Sequence, residues 1–167
     1  HAGSGADAAA FGNEIDFQLD PVHDLVSVSF SVFTTGENNG VASNNMPAIK
    51  IEIIPNPGAG CPGFSTMVYQ PDNTLPGVWT SIDAVADPGL HWGLTGGLAN
   101  GECGINGPRC TFEDLIDFLD DGAPDALILT VQVGKGRDFA FSGAVDSLVI
   151  NNEKFDFEPF GVITTTP

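Results

Sequence analysis

Several features that would assign a protein to a well-defined class are missing from this sequence of 167 residues. It has no apolar run approaching the roughly 18 residues that a membrane-spanning helix needs. It lacks a P-loop, a dinucleotide-binding fingerprint, a nucleophile elbow and an H-E-x-x-H zinc motif, which makes an enzyme the less expected class. Basic residues are also few, because five Lys and Arg stand against 22 Asp and Glu, giving a net charge of −17. Such a charge repels phosphate backbones and anionic lipids, so we expect no nucleic acid partner and no membrane insertion.

Cysteine is scarce, with three residues in the chain. Cys103 and Cys110 bracket the stretch CGINGPRC, a separation short enough for a local disulfide that closes a Gly/Pro turn. This pairing predicts an oxidising compartment and therefore a secreted, extracellular protein. Cys61 is then left over: it is free, it pairs with one of the other two, or its partner lies in a segment upstream.

Alternation of apolar and polar residues, which marks half-buried strands, recurs along most of the chain. Ile15, Phe17 and Leu19 alternate with acidic and amide residues, and the segments 26–32 and 49–53 show the same pattern. The loops between such segments are rich in Gly, Asn and Pro. Further strands are predicted at 64–69, 78–82, 90–94, 127–133, 139–150 and 154–158.

One segment has helical rather than strand periodicity. The stretch FEDLIDFL carries apolar residues at helical spacing behind Thr111, a residue type suited to capping the first turn. It predicts a single short helix near 112–120. With eight or nine strands and this helix, residues 1–167 are expected to form one all-β domain, an antiparallel two-sheet sandwich of the jelly-roll type.

Seven stretches of the sequence carry a resemblance: TTGENN, NMPAIKIEI, VWTSIDA, WGLTGG, CTFEDL, GKGRDFAFSGAVDSLVIN and FDFEPFGV. Together they resemble a group of secreted bacterial proteins, mainly actinobacterial, that end in a [YF]-D-F-E-P hairpin. The resemblance runs from about Ala10 to the end and implies a secreted β-sandwich without assigning an activity. Members of the group carry a further strand ahead of the matching region, so the domain is expected to lack an upstream strand. One alternative function is therefore a structural or assembly protein, completed by strand addition or self-associating through a sheet edge.

The large aromatic residues with a polar handle are Trp79, Trp92 and Tyr69, and such rings on a sandwich face stack on sugar rings. Trp79 alternates with apolar neighbours, so it is expected to point outward with Ser81. His91, beside Trp92, would border such a site. The alternative is that the tryptophans fill the core. The leading hypothesis is a non-catalytic domain, similar to carbohydrate-binding modules, that binds a glycan or another extracellular ligand.

Asp146 lies in the stretch AVDSLVI, where a period of two puts its carboxylate on the same buried face as Leu148. The stretch resembles the last strand of jelly-roll carbohydrate-binding modules, in which an aspartate at this point ligates a structural calcium ion beside the N-terminal strand. The resemblance implies a calcium site at Asp146, with Glu14 or Asp16 as the second carboxylate if the first and last strands are neighbours. Alternatively, backbone amides at a bulge near Gly143 satisfy the carboxylate.

The chain begins with His1, and a mature chain of this size with an N-terminal histidine on a β-sandwich is similar to the copper monooxygenases that attack polysaccharides. Those enzymes hold copper with the terminal amine and two imidazoles. His23 and His91 are the other histidines. A copper enzyme using His1 is therefore a third functional alternative, which fails if residues precede His1 in the mature protein.

Overall fold

The computed structural model describes residues 3–37, 40–56, 63–120, 124–158 and 160–166, so His1 and Cys61 lie outside the described residues. This part of the chain contains one α-helix, α1 (Phe112–Leu119), and ten strands. The strands are β1 (Ala9–Asn13), β2 (Val28–Thr34), β3 (Ala48–Ile54), β4 (Ser65–Tyr69), β5 (Thr80–Asp83), β6 (Trp92–Leu94), β7 (Leu127–Lys135), β8 (Gly143–Ile150), β9 (Glu153–Glu158) and β10 (Gly161–Thr165).

The ten strands form two antiparallel sheets of five strands each. The first sheet has the order β1-β7-β3-β4-β6, and the second sheet has the order β10-β9-β8-β2-β5. The chain passes repeatedly between them, since β2 lies in the second sheet, β3 and β4 in the first, and β5 again in the second. The prediction of an all-β, two-sheet antiparallel sandwich with one short helix is confirmed.

The core consists of side chains from the facing sides of the two sheets. In β3, Ile49, Ile51 and Ile53 are fully buried, whereas Lys50 and Glu52 between them are half-buried on the other face. The period of two in the sequence thus places one face of each strand against the core, where burial contributes about 25 cal/mol per Å² of apolar surface. The largest fully buried side chains belong to Trp92, Tyr69, Phe30, Met46, Ile49, Ile51, Ile53, Met67, Leu94, Leu115, Ile128 and Leu148.

The helix α1 packs against the core beside β6. The Thr111 hydroxyl accepts a hydrogen bond from the Asp114 N–H at 3.1 Å, which satisfies one free donor of the first turn. Leu115 is fully buried, and the Phe112 ring lies 5.3 Å from the ring of Trp92. The predicted helix and its cap are confirmed.

The structure differs from the sequence prediction near the N-terminus. Residues 15–19, predicted as a strand, form turns. Asn13 ends β1 because its side-chain oxygen accepts hydrogen bonds from the N–H groups of Ile15 and Asp16, both at 3.0 Å. Ile15 is 83% exposed, and Leu19 has a positive φ of 69°. The N-terminal strand is instead β1, which lies upstream of the predicted strand and consists mostly of small residues.

A β-bulge in β8 changes the orientation of Asp146. On β2, Ser29 lies opposite Val149, and Ser31 lies opposite Asp146. These paired positions are two residues apart on β2 but three residues apart on β8, so β8 contains one extra residue. Ser147 has a φ of 53°, the left-handed conformation common at bulges. One extra residue shifts the side-chain alternation by one position.

The consequence is that Asp146 points away from the core. Val145 takes the inward position and packs against the core in its place. Gly143, where the bulge was expected, pairs regularly with Thr34. The predictions that Asp146 shares the buried face of Leu148 and that the bulge lies near Gly143 are therefore wrong.

The side of the sandwich formed by β5 and β6, which we call the closed side, is covered. Trp92 lies between the sheets, and its Nε1–H donates to the carbonyl of Ala84, just beyond β5, at 2.7 Å. The outer edge of β6 pairs with the 103–110 loop: the Leu94 N–H donates to Cys103 at 2.7 Å, and the Cys110 N–H donates to Trp92 at 3.0 Å. The predicted Cys103–Cys110 disulfide, which is confirmed, closes this loop.

The side formed by β1 and β10, which we call the open side, is different. All five residues of β10 are exposed. Val162 lies opposite Phe157, whose ring packs on Phe11 of β1 at 4.9 Å, so Val162 faces inward. It is nevertheless 43% exposed. In the described part of the chain the first sheet ends at β1, which leaves the inner face of β10 uncovered.

Candidate functional site

The outer face of the second sheet carries a strip of polar side chains. Ser31 on β2 lies opposite Ser81 on β5 and opposite Asp146 on β8. Ser29 lies opposite Asp83 in the next outward row. Neighbouring strands are about 4.8 Å apart, so each row places hydroxyl and carboxylate groups at regular intervals on one face of the sheet.

A pair of aromatic rings, the exposed Trp79 and the half-buried Phe33, lies at one end of this strip. The rings of Phe33 and Trp79 are 5.7 Å apart and tilted by 48°. Trp79 is 51% exposed, and Ala144, opposite Phe33 on β8, is small and exposed. Two strand spacings and two residues of rise separate Trp79 from Asp146, a distance of about 12 Å across the sheet. We call this surface, from the aromatic pair to Asp146, the sheet platform.

Asp146 is held by backbone amides. Its Oδ1 accepts hydrogen bonds from the N–H groups of Ser147 at 2.6 Å and Phe157 at 3.0 Å. Partial burial opposes ionisation, but the two hydrogen bonds and the nearby Lys154 outweigh it and hold the pKa of Asp146 below its ordinary value. The platform therefore ends in a fixed negative charge at neutral pH.

Glu14 and Asp16, the predicted calcium partners of Asp146, lie in the turn after β1. The condition for their participation, that their strand is a neighbour of the strand of Asp146, is not met within one sheet, because β1 pairs with β7 in the first sheet while β8 belongs to the second. Asp16 accepts a hydrogen bond from the Asn13 side-chain amide at 2.7 Å. Among the described residues, no three or more His, Cys, Asp or Glu side chains are grouped to hold a metal ion. The calcium site stays a prediction.

The structure brings together three of the four residues predicted to bind a ligand, but largely inside the protein. The Tyr69 ring lies 6.0 Å from His91 and 5.3 Å from Trp92. Trp92 has no exposed surface and Tyr69 is 2% exposed, whereas His91 is half-buried. Trp79 lies apart from them on the sheet platform, and it is the member of the predicted set that offers a ring to solvent.

His91 belongs to a hydrogen-bonded group that we call the Asp87 cluster, made of Tyr69, Asp72, Asp87 and His91. Asp87 Oδ2 lies 2.6 Å from the Tyr69 hydroxyl and 2.6 Å from His91 Nδ1. His91 Nε2 lies 3.5 Å from a carboxylate oxygen of Asp72. Burial, and then the hydrogen bond to Asp87, raise the pKa of Tyr69, so its hydroxyl stays protonated and donates.

The backbone between Asp87 and His91 is shaped to hold this arrangement. The Gly89 N–H donates to Asp87 Oδ1 at 2.9 Å, and a Cβ at Gly89 would lie 2.5 Å from the imidazole ring of His91. Burial alone would raise the pKa of Asp87, but the hydrogen bonds from Tyr69, His91 and Gly89 outweigh it and lower the pKa. The carboxylate is therefore ionised and fixes the orientation of the imidazole.

A cavity of about 360 Å³ lies at the open side, with walls from both sheets. Phe11 and Phe157 contribute aromatic walls, and Val145 lines the side of β8. Lys135 also lines it, is 5% exposed and contacts the carboxylate of Asp138. Burial, and then a neighbouring lysine, lower the pKa of Lys135. The cavity is predominantly apolar and could receive the side chains of an added strand.

Phe33, Asp87 and Asp72 belong to these sites but were not predicted from the sequence. Phe33 follows the outward-facing serines of β2 in the same alternation. An aromatic residue at a position where the alternation otherwise places polar residues indicates a possible binding surface. Asp87 and His91 are separated by a Pro-Gly turn, which brings positions i and i+4 together. Asp72 carries no comparable signal, because its approach to His91 depends on the tertiary fold.

Comparison with protein-family models, with curated proteins and with solved structures finds no match for this chain. The described residues include no helix that is long and apolar enough to span a membrane. The structural findings therefore define the class, an all-β sandwich with one disulfide, and its surfaces are the basis for assigning a function.

Proposed function

We propose that this protein is a secreted, non-catalytic domain that binds a glycan on the sheet platform. The observation that carries the proposal is the Phe33–Trp79 pair, in which Trp79 is 51% exposed and which borders a strip of serine and aspartate side chains on the second sheet. An exposed tryptophan next to ordered polar groups is a feature of ligand surfaces rather than of solvated sheet faces.

The chemistry of the platform matches that of a sugar. A pyranose ring has an apolar C–H face, which stacks on an aromatic ring, and a rim of hydroxyl groups. Ser31 and Ser81 can both donate and accept hydrogen bonds, and the carboxylate of Asp146 accepts them. The net charge of −17 favours a neutral glycan over an anionic one.

Tryptophan fluorescence gives a direct test. The chain has two tryptophans, and Trp92 is fully buried, so a change in emission on ligand binding reports on Trp79. A glycan array identifies ligands, and titration of the best one should shift the emission and protect Trp79 from a soluble quencher. Covering about 100 Å² of the indole contributes about 2.5 kcal/mol, so Trp79→Ala should weaken binding about 10- to 100-fold.

The matched control is Ile15→Ala, which removes another exposed apolar side chain, in the turn after β1, away from the platform. It should leave glycan affinity unchanged, and Trp79→Phe should retain part of it. An array without hits, or binding that survives Trp79→Ala undiminished, would contradict the proposal.

A second candidate function rests on the open side. There the inward-facing Val162 is exposed and a cavity of about 360 Å³ lies between the sheets. We propose, as the alternative, that a strand from a second copy of this chain pairs along the uncharged strand β10. Light scattering coupled to size-exclusion chromatography decides between the two: a dimer supports the assembly function, and a monomer at high concentration excludes it.

A further inference from the structure

We propose that the cavity at the open side binds a small, neutral and mainly apolar carbonyl compound, with Lys135 as the hydrogen-bond donor to the carbonyl oxygen. The cavity lies between the two sheets, whereas the sheet platform lies on the outer face of the second sheet. The inference therefore does not depend on glycan binding. It also goes beyond the assembly function, because it assigns a class of ligand to the cavity itself.

The first step of the argument is the position of Lys135. Val131 and Val133 face the core from β7, and the period of two directs the side chain of Lys135 inward as well. That side chain is 4% exposed, whereas each of the other four basic residues of the chain is half-buried or exposed. Burying an ammonium group is costly, so its position at the wall of a cavity needs an explanation.

The second step is the hydrogen bonding of this ammonium group, which has three N–H donors. In the part of the chain that the structure describes, its acceptor is Oδ1 of Asp138, which lies in the turn after β7 and also accepts from the Phe139 N–H at 2.8 Å. Two donors of Lys135 therefore have no acceptor among the described residues. A carbonyl oxygen has two lone pairs and can accept from them.

The third step is the charge that a ligand can carry. Asp138 already neutralises Lys135, and the protein has a net charge of −17. An anionic ligand would bring a second carboxylate close to that of Asp138, and the field of the whole protein would repel it. The site therefore favours a neutral acceptor, such as a ketone, over a carboxylate.

The fourth step is the size and lining of the cavity. Its volume of about 360 Å³ is at the lower end of the roughly 300–1,000 Å³ that is typical of small-molecule sites. Phe11, Phe141 and Phe157 contribute aromatic walls, and Ala9, which lies opposite Lys135, leaves room beside the ammonium group. An apolar cavity with one or a few fixed polar groups is the usual form of a site for a small apolar molecule.

Fluorescence titration with prodan, a neutral naphthyl ketone whose emission depends on its surroundings, tests the proposal. We expect a saturable change in emission with one site per chain. Ala9 is exposed and lines the cavity, so Ala9→Phe places a ring in the cavity without repacking the core and should weaken prodan binding about tenfold. Trp79→Ala is the control, because it alters the sheet platform and should leave prodan affinity unchanged.

Two competitors of similar shape isolate the role of Lys135, since propiophenone carries a carbonyl group and propylbenzene lacks it. The informative quantity is the ratio of their inhibition constants, because the hydration of the free competitors cancels when the same pair is compared in two proteins. Lys135→Met keeps an unbranched side chain without the donors and should lower the preference for propiophenone about tenfold. In the unmodified protein, propiophenone should shift the ¹³Cε signal of Lys135 more than propylbenzene does, a test that holds even if Lys135→Met does not fold.

The absence of saturable prodan binding would overturn the proposal and leave the cavity to an added strand. Prodan binding that is lost in Trp79→Ala and kept in Ala9→Phe would also overturn it, because the dye would then lie on the sheet platform. An unchanged preference for propiophenone in Lys135→Met would show that Lys135 is not the donor. If benzoate displaces prodan at a lower concentration than propiophenone does, the site takes anions and the neutral class of ligand is wrong.

Discussion

The edge strands are covered on the closed side of the sandwich and uncovered on the open side. On the closed side, β6 is three residues long and pairs with the disulfide loop, and Trp92 spans the gap to the second sheet. On the open side, β1 and β10 are five residues long and carry no charged residue or proline. Proteins commonly shorten, charge or cover their edge strands, because a bare edge pairs with other chains. The closed side follows that rule and the open side does not.

This difference indicates that stability and association depend on different sides of the sandwich. Buried contacts and backbone pairing concentrate on the closed side, so its amides should open only in global unfolding, whereas those of β10 should exchange early. Stability is therefore expected to depend on the closed side, and association with another chain on the open side. The sheet platform lies on the outer face of the second sheet, between the two.

The largest expected effect is that of Trp92→Ala. It removes a side chain with no exposed surface that contacts Tyr69 and Phe112, and we expect a loss of about 3–5 kcal/mol in the free energy of unfolding. Urea denaturation measures it. Trp79→Ala is the control, since that side chain is half exposed and should cost about 1 kcal/mol or less. Equal losses in the two variants would contradict the role assigned to the buried Trp92 in holding the closed side together.

The second-largest expected loss of stability is that caused by removal of the disulfide. Replacing Cys103 and Cys110 together by alanine frees a loop with a sequence separation of seven and should cost about 2–3 kcal/mol. Because the loop also pairs with β6, amide exchange at Leu94 and Ile105 should accelerate, while exchange at β10 should stay the same. Unchanged exchange at Leu94 would mean that β6 is held by Trp92 without help from the loop.

Acid should weaken the fold through Asp87 and Asp146. Their pKa values are lowered in the folded state, below the unfolded value of about 3.9. Each therefore contributes stability that is present above the unfolded pKa and is lost as the pH falls through the folded pKa. Denaturation curves measured below pH 5 should show this decline, with a smaller slope for Asp87→Asn. Asp117→Asn, which removes the same charge from an exposed helix position, should keep the original slope.

Much of the fold was predictable because its strands depend on local alternation. β3 and α1 are examples, since the apolar residues of each follow one period without interruption. The turn at 15–19 shows the limit of this approach. Its alternation is as regular as that of β3, but the Asn13 side chain satisfies the backbone donors of Ile15 and Asp16 and ends the strand.

The candidate sites were less predictable, for two physical reasons. The bulge that turns Asp146 outward is centred on a serine with positive φ, and no glycine or asparagine marks it. The two tryptophans have similar local surroundings in the sequence, yet Trp92 is buried by β5, α1 and the disulfide loop, whereas Trp79 remains exposed. Such burial depends on contacts between distant segments, which local patterns do not encode.

The smallest expected effect on stability is on the open side, and it is the most informative about association. Ile163 in β10 is 53% exposed, and Ile163→Lys should change the free energy of unfolding by about 0.5 kcal/mol or less. A lysine on an edge strand opposes pairing with another chain, because its charge would be desolvated in the new sheet.

Association through β10 therefore predicts that Ile163→Lys converts a dimer to a monomer while the melting temperature of the monomer stays the same. Ser81→Lys on β5, at the edge of the closed side, is the matched control and should leave the oligomeric state unaltered. If both lysines abolish the dimer, the effect is not specific to β10, and pairing along that strand is not supported. If neither does, the two copies meet elsewhere, and the exposed inner face of β10 has to be explained by a strand from a different polypeptide.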